Sequence, residues 1–180
     1  LALEYGVQPL LHLSTLAEGG GFSALRAQAV LESDALRARL IAETVAQMRR
    51  GGYGGVDVDF EFLGAELADA FAGFLGELRA AVHAAGGTVV CALAPKTSAE
   101  QRGVLYEGHD YRRIGENADA VLLMTYEWGY TYGPPMAIAP IGAVRRVVEY
   151  ALTQIPASKI LLGFPNYAYD WTLPYAAGES

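Results

Sequence analysis

The chain has 180 residues, of which 52% are hydrophobic and 18% are charged, and its formal net charge is -7 at pH 7. These values exclude an intrinsically disordered chain, which would combine low hydrophobicity with high net charge. They also disfavour nucleic acid as a partner, because phosphate binding needs clustered Lys and Arg. The single cysteine, Cys91, excludes an internal disulfide and lies in an apolar run that predicts a buried side chain. No apolar stretch reaches the roughly 20 residues of a membrane span.

Short apolar runs alternate with helical patterns along the chain. Ser33 is predicted to cap a helix that ends near Gly51, and a second helical stripe covers residues 67–82. Asp110 is expected to cap a short helix, and another helix is expected to begin near Pro140. The apolar runs predict five strands, at residues 9–14, 55–62, 88–93, 120–126 and 160–164.

The alternation of strands and helices predicts an α/β fold with a parallel sheet. A (β/α)8 barrel is one such fold, and it typically needs about 250 residues. With five predicted strands, the chain is either an open α/β sheet or a segment of a barrel. No linker rich in Pro, Gly or Ser divides the sequence, so residues 1–180 are predicted to form a single domain.

The strand predicted at residues 55–62 carries a carboxylate at every second position. Side chains alternate between the two faces of a strand, so Asp57, Asp59 and Glu61 share one face. Burial and mutual repulsion raise the pKa of at least one carboxyl group in such a cluster. A carboxyl group that stays protonated near neutral pH is suited to general acid catalysis. The opposite face of the strand would carry Val56, Val58, Phe60 and Phe62.

Two other interpretations of this acidic face stay open. It could be the solvated side of a surface strand, or it could bind a hard metal cation through its carboxylates. Successive residues on one face lie about 6.6 Å apart, so chelation of one ion would need a bend or further ligands.

The carboxylate strand resembles the signature of glycoside hydrolase family 18, which reads Asp-Gly-x-Asp-x-Asp-x-Glu. The last three acids of that pattern fall on Asp57, Asp59 and Glu61, whereas Gly54 replaces the first. The segment Met-Thr-Tyr-Glu at residues 124–127 resembles the Met-x-Tyr-Asp segment of the family's sixth strand. The strings at residues 123–130 and 163–171 resemble the branch that includes spore-cortex-lytic N-acetylglucosaminidases.

The resemblance implies a (β/α)8 barrel in which the five strands are about the third to the seventh. The first, second and eighth strands would be absent, and the eighth usually supplies a tryptophan floor for the sugar. The resemblance therefore implies open sheet edges that could pair with a second copy of the chain, and weak or no activity from these 180 residues alone.

The resemblance also implies a retaining mechanism in which the substrate's own acetamide oxygen is the nucleophile. Glu61 would be the general acid and base, Asp59 would orient the acetamide, Tyr126 would hold the acetamide oxygen, and Asp57 would support Asp59. No cofactor and no metal are implied. The residues expected to bind the sugar are Glu127, Trp128, Met124, Asn166, Tyr167 and Trp171.

The leading interpretation is thus a hydrolase of β-1,4-linked N-acetylglucosamine bonds in peptidoglycan of the bacterial spore cortex, acting in the cell wall, the spore or outside the cell. The alternatives are a chitinase, an endo-β-N-acetylglucosaminidase, or a non-catalytic chitinase-like protein that binds carbohydrate. Non-catalytic members of this kind typically lack the catalytic Glu, whereas this chain has Glu61 at that position.

Several other side chains have two interpretations each. The aromatic residues Trp128, Tyr130, Tyr132, Tyr167, Tyr169 and Trp171 follow predicted strands, where they could stack on sugars or simply pack. Lys96 is expected either to contact the ligand or to lie at the surface. His12 is expected in the core, whereas His83 and His109 are expected at the surface.

Overall fold

The computed structural model describes residues 2–131 and 133–176, which form one parallel sheet covered by helices. Within these residues there are five strands: β1 (Leu11–Ser14), β2 (Gly55–Asp59), β3 (Thr88–Leu93), β4 (Ala120–Leu123) and β5 (Ile160–Leu162). The described α-helices are α1 (Ala24–Leu31), α2 (Asp34–Gly51), α3 (Ala68–Ala84), α4 (Tyr111–Asn117) and α5 (Ile141–Gln154). The predicted alternation of strands and helices is confirmed.

The strands lie side by side in chain order, β1-β2-β3-β4-β5, and every neighbouring pair is parallel. The register pairs His12 with Asp57, Ser14 with Asp59, and Val58 with Cys91. Because all strands run in one direction, their carboxyl ends meet at one edge of the sheet, where barrel enzymes carry their active sites.

The helices cover one face of the sheet and form the hydrophobic core with it. The β-strand residues of this core alternate along each strand, and each helix buries an apolar stripe against them. Cys91 is fully buried there, as predicted. The core includes Val56, Val58 and Phe60 from the β2 segment, Val89 and Leu93 from β3, and Ala27, Met48, Phe71, Phe74, Leu75, Leu78, Ile114, Val147 and Ala151 from the helices.

Side-chain caps fix where several helices begin. The hydroxyl oxygen of Ser33 accepts a hydrogen bond from the Leu36 N–H, and the Asp110 carboxylate accepts one from the Arg113 N–H at 3.0 Å, so both predicted caps are confirmed. Helix α2 runs through Gly51, and Gly52 provides the left-handed residue after it, with φ 68°. Helix α1, capped by Ser23, was not predicted.

Three predicted strands are too long at their carboxyl ends. β2, β4 and β5 end at Asp59, Leu123 and Leu162, and left-handed residues follow β2 and β4, at Phe62 and Glu127. Phe62 adopts a left-handed φ of 57° and is 40% exposed, so the prediction that it shares a strand face with Val56, Val58 and Phe60 is wrong. In the part of the chain that is described, no helix has both the length and the apolar character needed to cross a membrane.

Candidate active site

The three carboxylates of the β2 segment lie on the side of the sheet away from the helices. Val56, Val58 and Phe60 are buried in the core, whereas Asp57, Asp59 and Glu61 are half-buried. Asp57 and Asp59 belong to β2, and Glu61 follows two residues after the strand ends. The acidic face is therefore not a fully solvated surface.

Glu61 is the carboxyl group with the most suitable pKa for acid catalysis. Burial raises its pKa to about 7, and the negative charges of Asp59 and Glu127 act in the same direction. A carboxyl group with this pKa is largely protonated at slightly acidic pH and exchanges its proton readily near neutrality, as a general acid and base must.

Opposing effects act on the pKa of the Asp59 carboxyl group. Burial and the charge of Asp57 raise its pKa, while His12 opposes this shift. Its Oδ1 atom is buried and has no hydrogen-bond partner among the described residues. Because buried polar atoms are normally paired, this oxygen is suited to accept a hydrogen bond from a ligand.

His12 contacts both aspartates. Its Nδ1 atom lies 2.9 Å from Asp57 Oδ2, and its Nε2 atom lies 3.9 Å from Asp59 Oδ2. The prediction that His12 lies in the core is wrong, since its side chain is 55% exposed. The alternation along β1 explains this position, because Leu11 and Leu13 pack against the core and His12 faces the other way.

A pocket of about 280 Å³ lies at the carboxyl ends of β2, β3 and β4. It brings together five residues that were expected at the site: Glu61, Met124, Tyr126, Glu127 and Trp128. Four further lining residues were not expected. These are Phe62, Pro95, Leu105 and Tyr106.

Two of these four residues could have been predicted from the sequence, and two could not. Phe62 and Pro95 each follow a strand closely, so their position at the carboxyl edge could have been inferred from the strand ends. Leu105 and Tyr106 belong to the long connection between β3 and α4, which has no periodic pattern that would indicate where it folds.

The backbone of the pocket is strained at two places. Phe62 and Glu127 are the non-glycine residues with a positive φ among those described, at 57° and 62°. Both line the pocket, and both follow the end of a strand. Such strained residues cluster at active sites, because the surrounding structure holds a side chain where function needs it.

Tyr126 lies within the electrostatic field of the acidic residues. Burial raises the pKa of its phenol, and the carboxylates of Asp59, Glu61, Glu127 and Asp57 raise it further. The hydroxyl therefore stays protonated and can donate a hydrogen bond to a ligand oxygen.

The space for the Tyr126 ring depends on a glycine. A Cβ atom at Gly163 would lie 2.6 Å from Tyr126 Cε1 and 2.6 Å from the Leu123 carbonyl oxygen. Only a residue without a side chain allows this close approach of the segment after β5.

The segment after β5 reaches the pocket through Glu127. The Tyr167 and Tyr169 hydroxyls donate hydrogen bonds to Glu127 Oε1, at 3.0 and 3.4 Å. Burial and the Glu127 carboxylate together raise the pKa of Tyr167 to about 12. These bonds fix the orientation of a carboxylate at the rim of the pocket.

Three of the expected sugar-binding residues do not line the pocket: Tyr167, which contacts Glu127, and Asn166 and Trp171. Asn166 is exposed in the segment after β5. The Trp171 indole N–H donates to the Gly133 carbonyl oxygen at 3.2 Å, and its ring contacts Tyr169 edge-on. Tyr132, also considered for sugar stacking, lies outside the described residues.

Of the predictions for His83, His109 and Lys96, only the one for His83 is confirmed. His83 is exposed and contacts Asp119 at 2.8 Å, as expected of a surface residue, whereas His109 is only 1% exposed. Lys96 is buried too, and its Nζ atom donates to the His109 carbonyl oxygen at 3.1 Å. Across residues 2–131 and 133–176, no three His, Cys, Asp or Glu side chains are grouped so that they could hold a metal ion.

The family model described as glycosyl hydrolases family 18 matches residues 12–179. The cortical fragment-lytic enzyme of Bacillus subtilis (strain 168) is 48% identical over 169 residues, which are 94% of this chain and 39% of that enzyme. The crystal structure of the spore cortex-lytic enzyme SleL of Bacillus megaterium QM B1551 superposes with a TM-score of 0.93 at 40% identity, over 99% of this chain and 41% of that one. A chitinase from Chromobacterium violaceum ATCC 12472 superposes with a TM-score of 0.87 at 26% identity, over 94% of this chain and 53% of the chitinase.

These similarities cover nearly the whole chain but only part of each relative. The chain spans 39% of the length of the B. subtilis enzyme. The barrel interpretation is confirmed over the open-sheet alternative, and the five parallel strands are a segment of the (β/α)8 fold. The chain belongs to glycosyl hydrolases family 18.

Proposed function

We propose that this chain carries the catalytic centre of a retaining glycosidase that hydrolyses β-1,4-linked N-acetylglucosamine bonds in peptidoglycan. The observation that carries the proposal is the Glu61 carboxyl group, which lies in a pocket with Tyr126 and has a pKa of about 7. Family 18 enzymes use the substrate's acetamide group in place of an enzyme nucleophile, and the proposed mechanism follows that scheme.

In the first step Glu61 donates its proton to the glycosidic oxygen as the bond from this oxygen to the anomeric carbon breaks. The acetamide oxygen of the same sugar attacks the anomeric carbon and forms an oxazolinium ion. In the second step the Glu61 carboxylate takes a proton from water, whose oxygen attacks the anomeric carbon and opens the oxazolinium ring. The intramolecular nucleophile benefits from a high effective concentration.

Asp59, Tyr126 and Asp57 would stabilise the oxazolinium ion. Asp59 Oδ1, buried and unpaired among the described residues, would accept a hydrogen bond from the acetamide N–H. Tyr126 would donate to the acetamide oxygen, and Asp57, held by His12 at 2.9 Å, would support Asp59. The hydrogen bonds from the acetamide to Asp59 and Tyr126 gain strength as charge develops in the transition state.

Several residues around the pocket would bind the sugar. Glu127, oriented by Tyr167, would accept hydrogen bonds from sugar hydroxyls. Trp128 and Met124 would supply apolar contact from the pocket wall. Asn166 and Trp171, which lie outside the pocket lining, would contact neighbouring sugar units of a longer glycan.

The proposed substrate is spore cortex peptidoglycan. The relatives named cortical fragment-lytic enzyme and spore cortex-lytic enzyme support it, since they are 48% and 40% identical to this chain. The proposed site of action is accordingly the spore cell wall. The second candidate is hydrolysis of chitin, which the structural likeness to a chitinase favours at the lower identity of 26%.

The test uses the full-length protein with two substrates, cortical muropeptides and chitin oligosaccharides, and with a thiazoline analogue of N-acetylglucosamine. We expect hydrolysis of the muropeptides with retention at the anomeric carbon, and inhibition by the thiazoline, which resembles the oxazolinium ion. Preference for chitin would favour the second candidate. Hydrolysis that the thiazoline does not inhibit would contradict the substrate-assisted mechanism.

A further inference from the structure

The carboxyl ends of β2 and β3 separate just before the catalytic pocket begins. Their paired residues end with Val58 and Cys91, and the chains then diverge towards Glu61 and Pro95, which both line the pocket. Beyond the ladder, the Phe60 carbonyl and the Ala94 N–H therefore need partners other than each other.

The side chain of His109 bridges this gap. Its Nε2 atom lies 2.9 Å from the Phe60 carbonyl oxygen, and the Ala94 N–H donates to its Nδ1 atom at 2.9 Å. The imidazole thus links the two diverging strands through one hydrogen bond to each. Phe60 immediately precedes Glu61, so the bond to its carbonyl fixes the peptide plane that carries the Glu61 Cα atom.

We propose that His109 is a positioning residue that holds the Glu61 carboxyl group in place through the Phe60 carbonyl. The inference rests on the proposed function of Glu61 as the general acid. His109 does not line the pocket, so its effect on the reaction passes through the backbone of Phe60 and Glu61, just after β2.

The imidazole itself is held firmly. Its ring stacks on Phe71, with centroids 5.8 Å apart and an interplanar angle of 28°. The Lys96 Nζ atom donates to the His109 carbonyl oxygen at 3.1 Å, and the preceding Gly108 N–H donates to Leu63 O at 2.9 Å. Gly108 and His109 are therefore hydrogen-bonded to the chain on both sides of Glu61, at the carbonyl groups of Leu63 and Phe60.

Only one form of the imidazole satisfies both bonds. Because Ala94 donates to Nδ1, that nitrogen must be an acceptor, and the proton of the neutral ring must reside on Nε2. Burial lowers the pKa of His109 to about 4 and keeps it neutral, while the Phe60 carbonyl opposes the shift and Lys96 adds to it.

Loss of the bond to Phe60 would free the Glu61 backbone to rotate. A displacement of about 1 Å at a catalytic group can lower the rate roughly 10²-fold. Binding of the sugar depends mainly on other residues of the pocket, so kcat should respond more than KM.

The test compares two substitutions that each keep one of the two bonds. In His109→Gln the amide N–H reaches the position of Nε2 and can still donate to Phe60. In His109→Asn the amide oxygen occupies the position of Nδ1 and can still accept a hydrogen bond from the Ala94 N–H. The shorter side chain does not reach the Phe60 carbonyl, so that bond is lost. Val82→Ala, a fully buried substitution in α3, is the control for lost stability without a change near Glu61.

In the full-length protein we expect His109→Asn to lower kcat roughly 10²-fold with little change in KM, and His109→Gln to keep most of the activity. Equal kcat for His109→Asn, His109→Gln and Val82→Ala, measured well below their unfolding temperatures, would overturn the proposal. If the wild-type protein shows no hydrolysis, or Glu61→Gln is fully active, it is the proposed function that fails.

A second measurement needs neither activity nor a variant. Nitrogen-15 NMR of the wild-type histidines should show His109 as the neutral tautomer with its proton on Nε2 around neutral pH. A protonated ring, or a proton on Nδ1, would contradict the bridge to Phe60 directly. This measurement tests the proposal even if the His109 variants do not fold.

Discussion

At the residue scale, the raised pKa of Glu61 predicts how activity depends on pH. A general acid must be protonated, so kcat/KM of the full-length protein should fall as pH rises through about 7, the pKa of Glu61. Because the Glu127 charge contributes to this raised pKa, Glu127→Gln should shift the alkaline limb to lower pH. The control is Glu77→Gln, an exposed carboxylate of α3, which should leave the limb in place. A limb that Glu127→Gln leaves unmoved would contradict this electrostatic coupling.

Asp59 and Tyr126 should affect the transition state more than substrate binding. Asp59→Asn and Tyr126→Phe each remove a group that would stabilise the oxazolinium ion, so each should lower kcat by roughly 10²-fold with a smaller change in KM. Steady-state kinetics on cortical muropeptides measure both constants. An increase in KM at constant kcat would show instead that these groups bind the ground state and the transition state equally.

The carboxylate cluster could be predicted from the sequence, but the burial of His109 could not. The two-residue spacing of Asp57, Asp59 and Glu61 dictates a shared face, and the structure has that face. The burial of His109 arises from contact with Phe60, 49 residues earlier, which no local pattern reveals. The exposure of His12 could have been inferred, because the alternation of Leu11 and Leu13 places it on the opposite face.

At the scale of elements, the close approach of the segment after β5 to Tyr126 predicts that two glycines respond in opposite ways. Gly163→Ala would place a Cβ atom 2.6 Å from Leu123 O and from the Tyr126 ring, so overpacking should cost about 1–3 kcal/mol of stability. Gly73→Ala lies on α3 with open space around the added atom, so it should stabilise the helix by about 0.5–1 kcal/mol. Urea unfolding of the full-length variants measures both changes. A stable Gly163→Ala variant would contradict the close approach.

The strands and most helices could be located from the sequence, whereas their ends at the site could not. Apolar runs predicted all five strands, but three of them end earlier than predicted, and two of these, β2 and β4, are followed by the left-handed residues Phe62 and Glu127. Helix α1 was missed although Ser23 caps it. It is eight residues long and buries only Ala27 and Leu31, so its apolar stripe is too short to stand out.

At the scale of the whole molecule, the outer strands predict self-association of a polypeptide with these 180 residues. In the described part of the chain, β1 and β5 each have a neighbour on one side only, and unpaired strand flanks favour pairing with another chain. Leu161 and Leu162 in β5 are 48% and 49% exposed, and Phe164 after it is 86% exposed, which adds apolar surface at this edge.

Light scattering after size-exclusion chromatography should therefore show oligomers of this polypeptide, and Leu161→Lys with Phe164→Lys should reduce their fraction. A monomer at all concentrations would contradict the prediction. Glycosidase activity of the same sample should be weak, since the family resemblance implies that the sugar floor comes from a strand beyond these five.

The most direct measurement for the whole molecule is the turnover of cortical muropeptides by the full-length Glu61→Gln variant. Glutamine keeps the shape of Glu61 but cannot transfer the proton, so kcat should fall at least roughly 10²-fold while glycan affinity stays near that of the wild type. The matched Glu77→Gln control should retain wild-type turnover. A Glu61→Gln variant with near-normal kcat would contradict the assignment of Glu61 as the catalytic acid.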